Sequence, residues 1–381
     1  MSLAIVTGSL TPYTVRLYDA FAERHGEDLR VFTCAEIEPH RAWAVAAPRH
    51  FQHEVLPGLR WHRHDASHVY ANPSIVTRLI RERPEVLAVA AFSPTMALAV
   101  GYARATGTPY GVATDGTLET DPGEQSRPHA AMRRAMVPRA SFGICASEAS
   151  VALLERWGLK RGRGVVVPIV TAWDAPVAIP IFEERPFDVI LAGGINERFK
   201  GVLFFAEVAA RLAERGKRLR VRIAGKGPER DELARRLSIA GVDAHFDGAL
   251  QPEAMAEALG SAKVLAFPSR HDPWGLVANE AVLCGTPVLG SPHATSSHHF
   301  VERFGVGLVR PLEVEAWAEA LLDMLSGKAR WTSFMGHREE AVRWFSLDAA
   351  VAGLKRAFDL GRGAGRGGAV AAFAPGEASR D

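Results

Sequence analysis

Read as apolar and polar positions, the chain repeats one unit: a short apolar run, a turn carrying glycine, then a segment whose apolar residues recur three and four apart. LAIVTG, the loop SLTPYT and then VRLYDAFAERHG make the first copy, with Val15, Leu17, Tyr18 and Phe21 on one side of a helix. LRVFTC, VLAVAAF, YGVATDG and FGICAS are further strands, and SIVTRLIRERP, TMALAVGYARATG and SEASVALLERWG are the helices between and behind them. Strands this uniformly apolar are buried on both faces, which predicts a parallel sheet covered by helices. Residues 35–70, rich in His, Pro and Trp, break the rhythm and read as an irregular excursion.

The stretch PIVTAWDAPVAIPIFEERP, 168–186, holds four prolines and reads as a linker. The alternation then restarts: FDVILAGG, LRVRIAGKG, AHFDG, KVLAFPS and PVLGS as strands, with GVLFFAEVAARLAERG, PERDELARRLSIAG, QPEAMAEALGSA and GLVANEAVLCG as helices. The pattern predicts an α/β chain of two Rossmann-like, doubly wound parallel-sheet domains, 1–172 and 173–342, facing across a cleft. Ligands of such sheets bind at the carboxyl ends of the strands. Residues 314–325 and 339–360 read as terminal helices, and 361–381, rich in Gly and Ala, as a disordered tail.

Composition narrows the function. Lys plus Arg number 45 against 43 Asp plus Glu, so the chain lacks the basic excess of a nucleic-acid binder. Cys34, Cys145 and Cys284 stand far apart without metal or redox spacing, which fits a reducing cytoplasm. There is no signal-like start and no membrane span, which leaves peripheral contact with the inner membrane face open. His50, His53, His62, His64 and His68 lack the spacing of a metal site. Arg127, Arg133 and Arg134 form a small basic patch, read as a solvated helix face, with a site for an acidic or lipid-phosphate acceptor as the alternative.

The candidate chemistry lies in the loops after the strands of the second half. Arg198 and Lys200 stand on a turn leading into a helix, where cations beside open backbone amides attract an anion. Gly225 and Gly227 permit close backbone approach. In RHDPWGLVANEAVLCGTPVLGS, Trp274-Gly275 turns the chain so that the amides of Leu276 and Val277 open a helix; Asp272 precedes the turn and Glu280 lies about one turn inside. A carboxylate accepts two hydrogen bonds from vicinal hydroxyls. Cations and amides for a diphosphate, one acid for a sugar and one for a ribose read together as a sugar-nucleotide site. Neither half has the Gly-x-Gly-x-x-Gly of a dinucleotide enzyme after its first strand.

On these residues, 187–311 resembles the nucleotide-binding half of the retaining glycosyltransferases of family 4, which have the GT-B fold. FPSRHDPWGLVANEAVLCGTPVLGS is similar to that family's Glu-x7-Glu region, AGGINERFKG to its glycine turn followed by Lys-Gly, and IAGKGPERDEL to its later Gly-x-Gly-Pro-Glu loop. SLTPYTVRLYDAFAERHGEDLRVF is similar to the family's first loop and helix, and WFSLDAAVAGLKRAFDL to the closing helices, so that a helix over 343–360 would cross back to the first domain. The resemblance implies a metal-independent hexosyl transfer from a nucleotide sugar, UDP favoured over GDP, to a carbohydrate or lipid-linked hydroxyl in glycan biosynthesis, with no cofactor. It implies that Asp272 binds the donor sugar, Glu280 the ribose, and Lys200 with Arg198 the diphosphate. Gly8, Ser9, Gly193, Gly194, Gly225, Lys226, Trp274, Gly275, Leu276 and Val277 would complete the donor site. Three departures stand out: Gly194 where many members carry Arg, Asp272 for the commoner glutamate, and Asp115, in VATDGT, where many carry a histidine; Asp115 would accept from a sugar hydroxyl there or cap the turn. The alternatives are a sugar-nucleotide epimerase of the same fold and a non-catalytic, nucleotide-sugar-binding partner.

Overall fold

The computed structural model describes residues 2–37, 44–64 and 67–365. Fifteen strands appear among them: β1 Leu3–Thr7, β2 Leu29–Thr33, β3 Gln52–Val55, β4 Leu59–His64, β5 Ser67–Ala71, β6 Val86–Ala90, β7 Tyr110–Thr114, β8 Phe142–Cys145, β9 Gly164–Val166, β10 Phe187–Ala192, β11 Arg220–Ala224, β12 Asp243–Gly248, β13 Ala262–Phe267, β14 Val288–Gly290 and β15 Gly307–Val309. Seven form one parallel sheet in the order β3-β2-β1-β6-β7-β8-β9, and six form a second in the order β12-β11-β10-β13-β14-β15. In each, the order reverses beside the first strand, between β1 and β6 and between β10 and β13. Neighbouring loops diverge there and leave a crevice at the carboxyl ends.

Local chemistry sets the helix that follows β1. Thr11 and Thr14 form a reciprocal cap around Pro12, and Gly26, in the left-handed region, closes the helix Pro12–His25. Its Phe21 is fully buried against Phe358 of the closing helix. The second domain packs Val202–Glu214 and Val314–Met324 on its sheet, with Trp317 fully buried edge-on to Phe204.

Several elements differ from the sequence reading. The excursion at 35–70 contains β3, which extends the sheet at its edge, and the antiparallel ribbon β4-β5. QHEV is polar and half exposed, so an apolar-run criterion passes over it. β9 and β15 span three residues each, too few to show periodicity. The predicted helix 339–360 is two, Arg338–Trp344 and Leu347–Gly365, because buried Phe345 anchors the break and Ser346 Oγ accepts the Ala349 amide at 3.1 Å.

The closing helix also runs through 361–365, where the sequence reading began a tail. Tertiary packing overrides glycine's low helix propensity there. A Cβ on Gly361 would lie 2.6 Å from Val86 and 2.8 Å from Phe142, and Arg362 bridges Glu27 at 2.6 Å and Glu85 at 3.2 Å. The rest of the expected tail, 366–381, lies outside the described residues.

The linker region carries only a single 3-10 turn, Phe182–Glu184, and is pinned by Arg185. That guanidinium is 1% exposed and donates to Pro180 O, Ala262 O and Thr286 Oγ1 at 2.6–3.0 Å, with the Trp331 ring 5.0 Å away; burial pulls its pKa down to about 10. Arg16, from the first domain, donates to Thr171 O and Trp173 O and pairs with Asp174 at the other end of the linker. Glu148 and Arg303 bridge the domains at 2.9 Å. Among the described residues no helix is long and apolar enough to cross a membrane.

Candidate functional site

The crevice between β10 and β13 is assembled by close backbone approaches that only glycine allows. A Cβ on Gly225 would sit 1.7 Å from Gly193 O, and one on Gly227 would sit 2.0 Å from Ile195 O. The two loops therefore lie directly on each other, joined by Gly193 N–H to Ala224 O at 2.9 Å and Ile195 N–H to Lys226 O at 2.9 Å. Gly193, with φ at +120°, starts the turn, and Asn196 caps the short helix Glu197–Lys200 through the Phe199 amide. Gly201, at φ +63°, ends it against Pro268 O, where a Cβ would come within 2.1 Å. Lys200 is thereby delivered to the loop after β13. Its Nζ meets Asp272 Oδ2 at 2.5 Å, with the Phe267 ring centroid 6.0 Å away.

That loop is held from two sides. Arg270 pairs with Glu197 at 2.7 Å and its amide donates to Phe199 O at 2.8 Å; the other Glu197 oxygen accepts the Leu203 amide at 2.6 Å. Asp272 exchanges backbone hydrogen bonds with His293 and Thr295, leaving its carboxylate facing Lys200. Gly275 has φ +93°, and a Cβ there would lie 2.4 Å from the Phe267 ring. The turn is therefore closed to every other residue. It opens the helix Val277–Leu283, whose Leu276 and Val277 amides have no acceptor among the described residues.

Glu280 is partly buried, and no hydrogen bond or ion pair reaches its carboxyl among the described residues. Burial alone pushes its pKa up to about 7. The crevice lining includes Gly193, Gly194, Lys200, Phe267 and Ser269, with Lys200 its one charged residue among those described; Asp272, Gly275, Leu276, Val277 and Glu280 stand outside that lining. Ser269 Oγ, fully buried, has no partner among the described residues. Nothing in the sequence pattern marks Ser269, nor the Glu197–Arg270 strap. Both depend on contacts between loops separated by some seventy residues.

Other predicted site residues fall elsewhere. Trp274 does not line the crevice: it is 3% exposed, donates from Nε1 to Asn279 Oδ1 at 3.0 Å and stacks on Trp344, so its role is to anchor the turn from inside the core. Arg198 is exposed, its guanidinium over the Phe199 ring at 5.3 Å, and stands outside the crevice lining. Lys226 is exposed beside Gly248. Gly8 and Ser9 occupy the loop after β1 and Asp115 the loop after β7, both at carboxyl ends of the first sheet; none lines the crevice. The described groups opposite His299 include Glu119, whose pKa is lowered mainly by its hydrogen bond to Thr117, while burial lowers that of His299.

Arg133 corrects the basic-patch reading. It is 5% exposed, paired with buried Asp121, which also accepts Trp157 Nε1 at 2.9 Å, and stacks on Phe92 at 4.3 Å. Arg127 and Arg134 instead line a cavity of about 1020 Å³ with Arg156 and Trp157. Its acid, Glu124, already pairs with Arg156 at 3.1 Å. Residues 123–126, also in its lining, belong to the loop after β7, and the cavity shares no residue with the crevice lining. Among the described residues no group of three or more His, Cys, Asp or Glu is arranged to hold a metal. His53 Nε2 meets Thr33 Oγ1 at 2.9 Å, and the side chains of 62–68 lie outside the described residues. All three cysteines are free and buried, which pushes their thiols up to about 11 or 12.

Comparison with known proteins places this geometry in context. The fold is GT-B. The structure superposes on that of Anabaena Alr3699/HepE in complex with UDP at a TM-score of 0.72 and 16% identity, over 94% of this chain and all of the other. It superposes on WaaG, a glycosyltransferase involved in lipopolysaccharide biosynthesis, at 0.67 and 18%, over 94% and 99%. Residues 186–327, the domain that holds the crevice, match the family described as Glycosyl transferases group 1. A D-inositol 3-phosphate glycosyltransferase of Corynebacterium urealyticum is 33% identical over 143 residues, 35% of this chain. A GDP-mannose-dependent phosphatidylinositol dimannoside mannosyltransferase of Mycobacterium tuberculosis is 37% identical over 86, or 22% of each chain. The first of these matches spans about a third of its relative's length.

Proposed function

We propose that the protein is a retaining, metal-independent glycosyltransferase that moves a sugar from a nucleotide-sugar donor to a carbohydrate, glycolipid or other hydroxyl acceptor in glycan biosynthesis. The observation that carries this reading is the ion pair that joins Lys200, in the crevice lining, to Asp272, on the loop whose following helix carries Glu280, a partly buried carboxyl with no partner among the described residues. Lys200 and the open amides of Leu276 and Val277 suit a leaving diphosphate, whose developing charge they would neutralise. Asp272 suits a sugar's hydroxyls and Glu280 a ribose's. UDP is favoured because the HepE structures that superpose on this one hold UDP; GDP is the rival, from the mannosyltransferase match.

In this reading the bond from the sugar's anomeric carbon to the diphosphate oxygen breaks, and the acceptor oxygen bonds to that carbon on the same face. The acceptor's proton passes to the leaving phosphate. The protein contributes position and charge rather than a nucleophile. Asp115 faces the acceptor from the first domain, and the chain works at the cytoplasmic side, with peripheral membrane contact where the acceptor is lipid-linked.

The test is donor turnover in EDTA with a panel of UDP-, GDP-, ADP- and dTDP-sugars and candidate acceptors, beside a Glu280→Ala variant. Diphosphate release and glycosylated acceptor from one donor class, lost in the variant, are expected. Donor conversion without acceptor would replace the reading with an epimerase, and binding without conversion would replace it with a non-catalytic partner.

A further inference from the structure

Lys200 and Asp272 meet at 2.5 Å with side chains 32% and 12% exposed, so in the free protein each occupies the other. Among the described residues Lys200 is the only charged one lining the crevice, and it is the cation a diphosphate would need. The main chain of Asp272 is bonded on both sides to the 293–295 loop, which holds its Cα in place beside Lys200. Lys200, at the end of a short helix clamped by Gly201 against Pro268, has only its own side-chain torsions with which to leave. A phosphate group and Asp272 therefore compete for one ammonium. Resting on the proposed function, we infer that this ion pair is a latch that makes the site discriminate between an intact nucleotide sugar and the spent nucleotide diphosphate.

A bare diphosphate that takes Lys200 strands Asp272, a mostly buried carboxylate, without a partner. Removing one partner of a desolvated charge pair leaves the other uncompensated. A donor that carries its sugar offers hydroxyls to the freed carboxylate and restores its hydrogen bonds. The latch thus penalises the product and not the substrate, favouring release of the diphosphate after transfer. The penalty is a cost of the bound state, carried only by the complex in which Asp272 is left without a partner.

The experiment is a double-mutant cycle on Asp272→Asn and Lys200→Gln, read by calorimetric affinity for UDP and for a UDP-sugar that the wild type turns over (or the GDP pair, if GDP is the donor base). Thermal melting confirms that each variant is folded. Asp272→Asn is expected to tighten UDP binding about three- to tenfold while weakening the UDP-sugar, so that the preference for sugar nucleotide over diphosphate falls at least tenfold. In the Lys200→Gln background the gain for UDP should vanish, because no latch remains. The same gain in both backgrounds would mean that Asp272 merely repels the phosphates, and would overturn the latch while leaving the proposed function intact. Weaker UDP binding by Asp272→Asn would overturn it equally. A wild type that binds neither nucleotide nor sugar nucleotide brings down both.

Discussion

The two domains share a strand order but not a way of finishing their loops. In the second, the loops after β10, β11 and β13 are fastened to one another by glycine-dependent contacts, from Gly193 to Gly225, from Ile195 to Gly227 and from Gly201 to Pro268. In the first, the chain after β2 makes a long excursion before β3, and the loop after β7 folds away around Asp121, Arg133 and Trp157. One half has converted its strand ends into a rigid frame for fixed charges, while the other has invested its order further from the strand ends. On a shared scaffold, function follows how loops are tied down.

The largest effects should come from cutting the knot in each half. Asp121→Ala would strand the Arg133 guanidinium and the Trp157 N–H, costing about 3–5 kcal/mol in urea unfolding, yet in the folded protein nucleotide affinity should stay within about twofold, since the knot belongs to the first domain. Gly275→Ala imposes a positive φ and a Cβ in the Phe267 ring, for a loss of about 2–4 kcal/mol that, unlike the first, should also abolish nucleotide binding. If both variants lost binding alike, the contrast between the domains would fail.

Next comes pH. The Glu280 pKa is raised by burial to about 7 in the folded protein from an ordinary 4.5. The folded state therefore holds a proton that the unfolded state has lost between those values. The resulting stability is fully present below pH 4.5 and is lost as pH rises through 7, on the order of 3 kcal/mol at most. Glu280→Gln should flatten that dependence in paired unfolding curves at pH 5 and pH 8. Nucleotide affinity should run the opposite way, rising through pH 7 as hydroxyls bind the ionised carboxylate, with a proton released on binding.

Smaller again is the direct contribution of Glu280 to the nucleotide, a loss of roughly 10- to 100-fold in affinity for Glu280→Gln, against a change within about twofold for Asp115→Asn on the other side. Equal losses would make the first domain part of the nucleotide frame. Smallest is Arg198→Ala: an exposed side chain over Phe199 should cost under about 0.5 kcal/mol of stability and leave the melting temperature almost unmoved.

Legibility followed burial. Strands covered on both faces, such as β1 and β10, announce themselves by uninterrupted apolar residues, and so the doubly wound design could be read from the chain. Edge and three-residue strands could not, because β3 exposes one side to solvent and β9 is too short for a period. Asp272, Gly275 and Glu280 stand out in the sequence because a turn, a helix start and two acids fall within one short stretch, whereas Lys200 stands out only beside its own turn, and their meeting at Lys200–Asp272 comes from the fold. Trp274 was misread since a sequence does not say whether an aromatic at a turn points outward or into Trp344. Arg133 was misread because its partner, Asp121, reaches it only through the fold of a loop.

The closing helix Leu347–Gly365 returns to the first sheet, where Gly353 lies against Val166 O and Gly361 against Phe142. In chain topology the second domain is therefore an insertion, entered through one connection near 168–186 and left through another near Ser346. A protease that nicks the first connection would leave a second covalent tether in place, and the fragments would stay together even without the interdomain contacts. Separating the halves takes two cuts, and a hinge between them must bend two crossings at once, which narrows their relative motion toward a single axis.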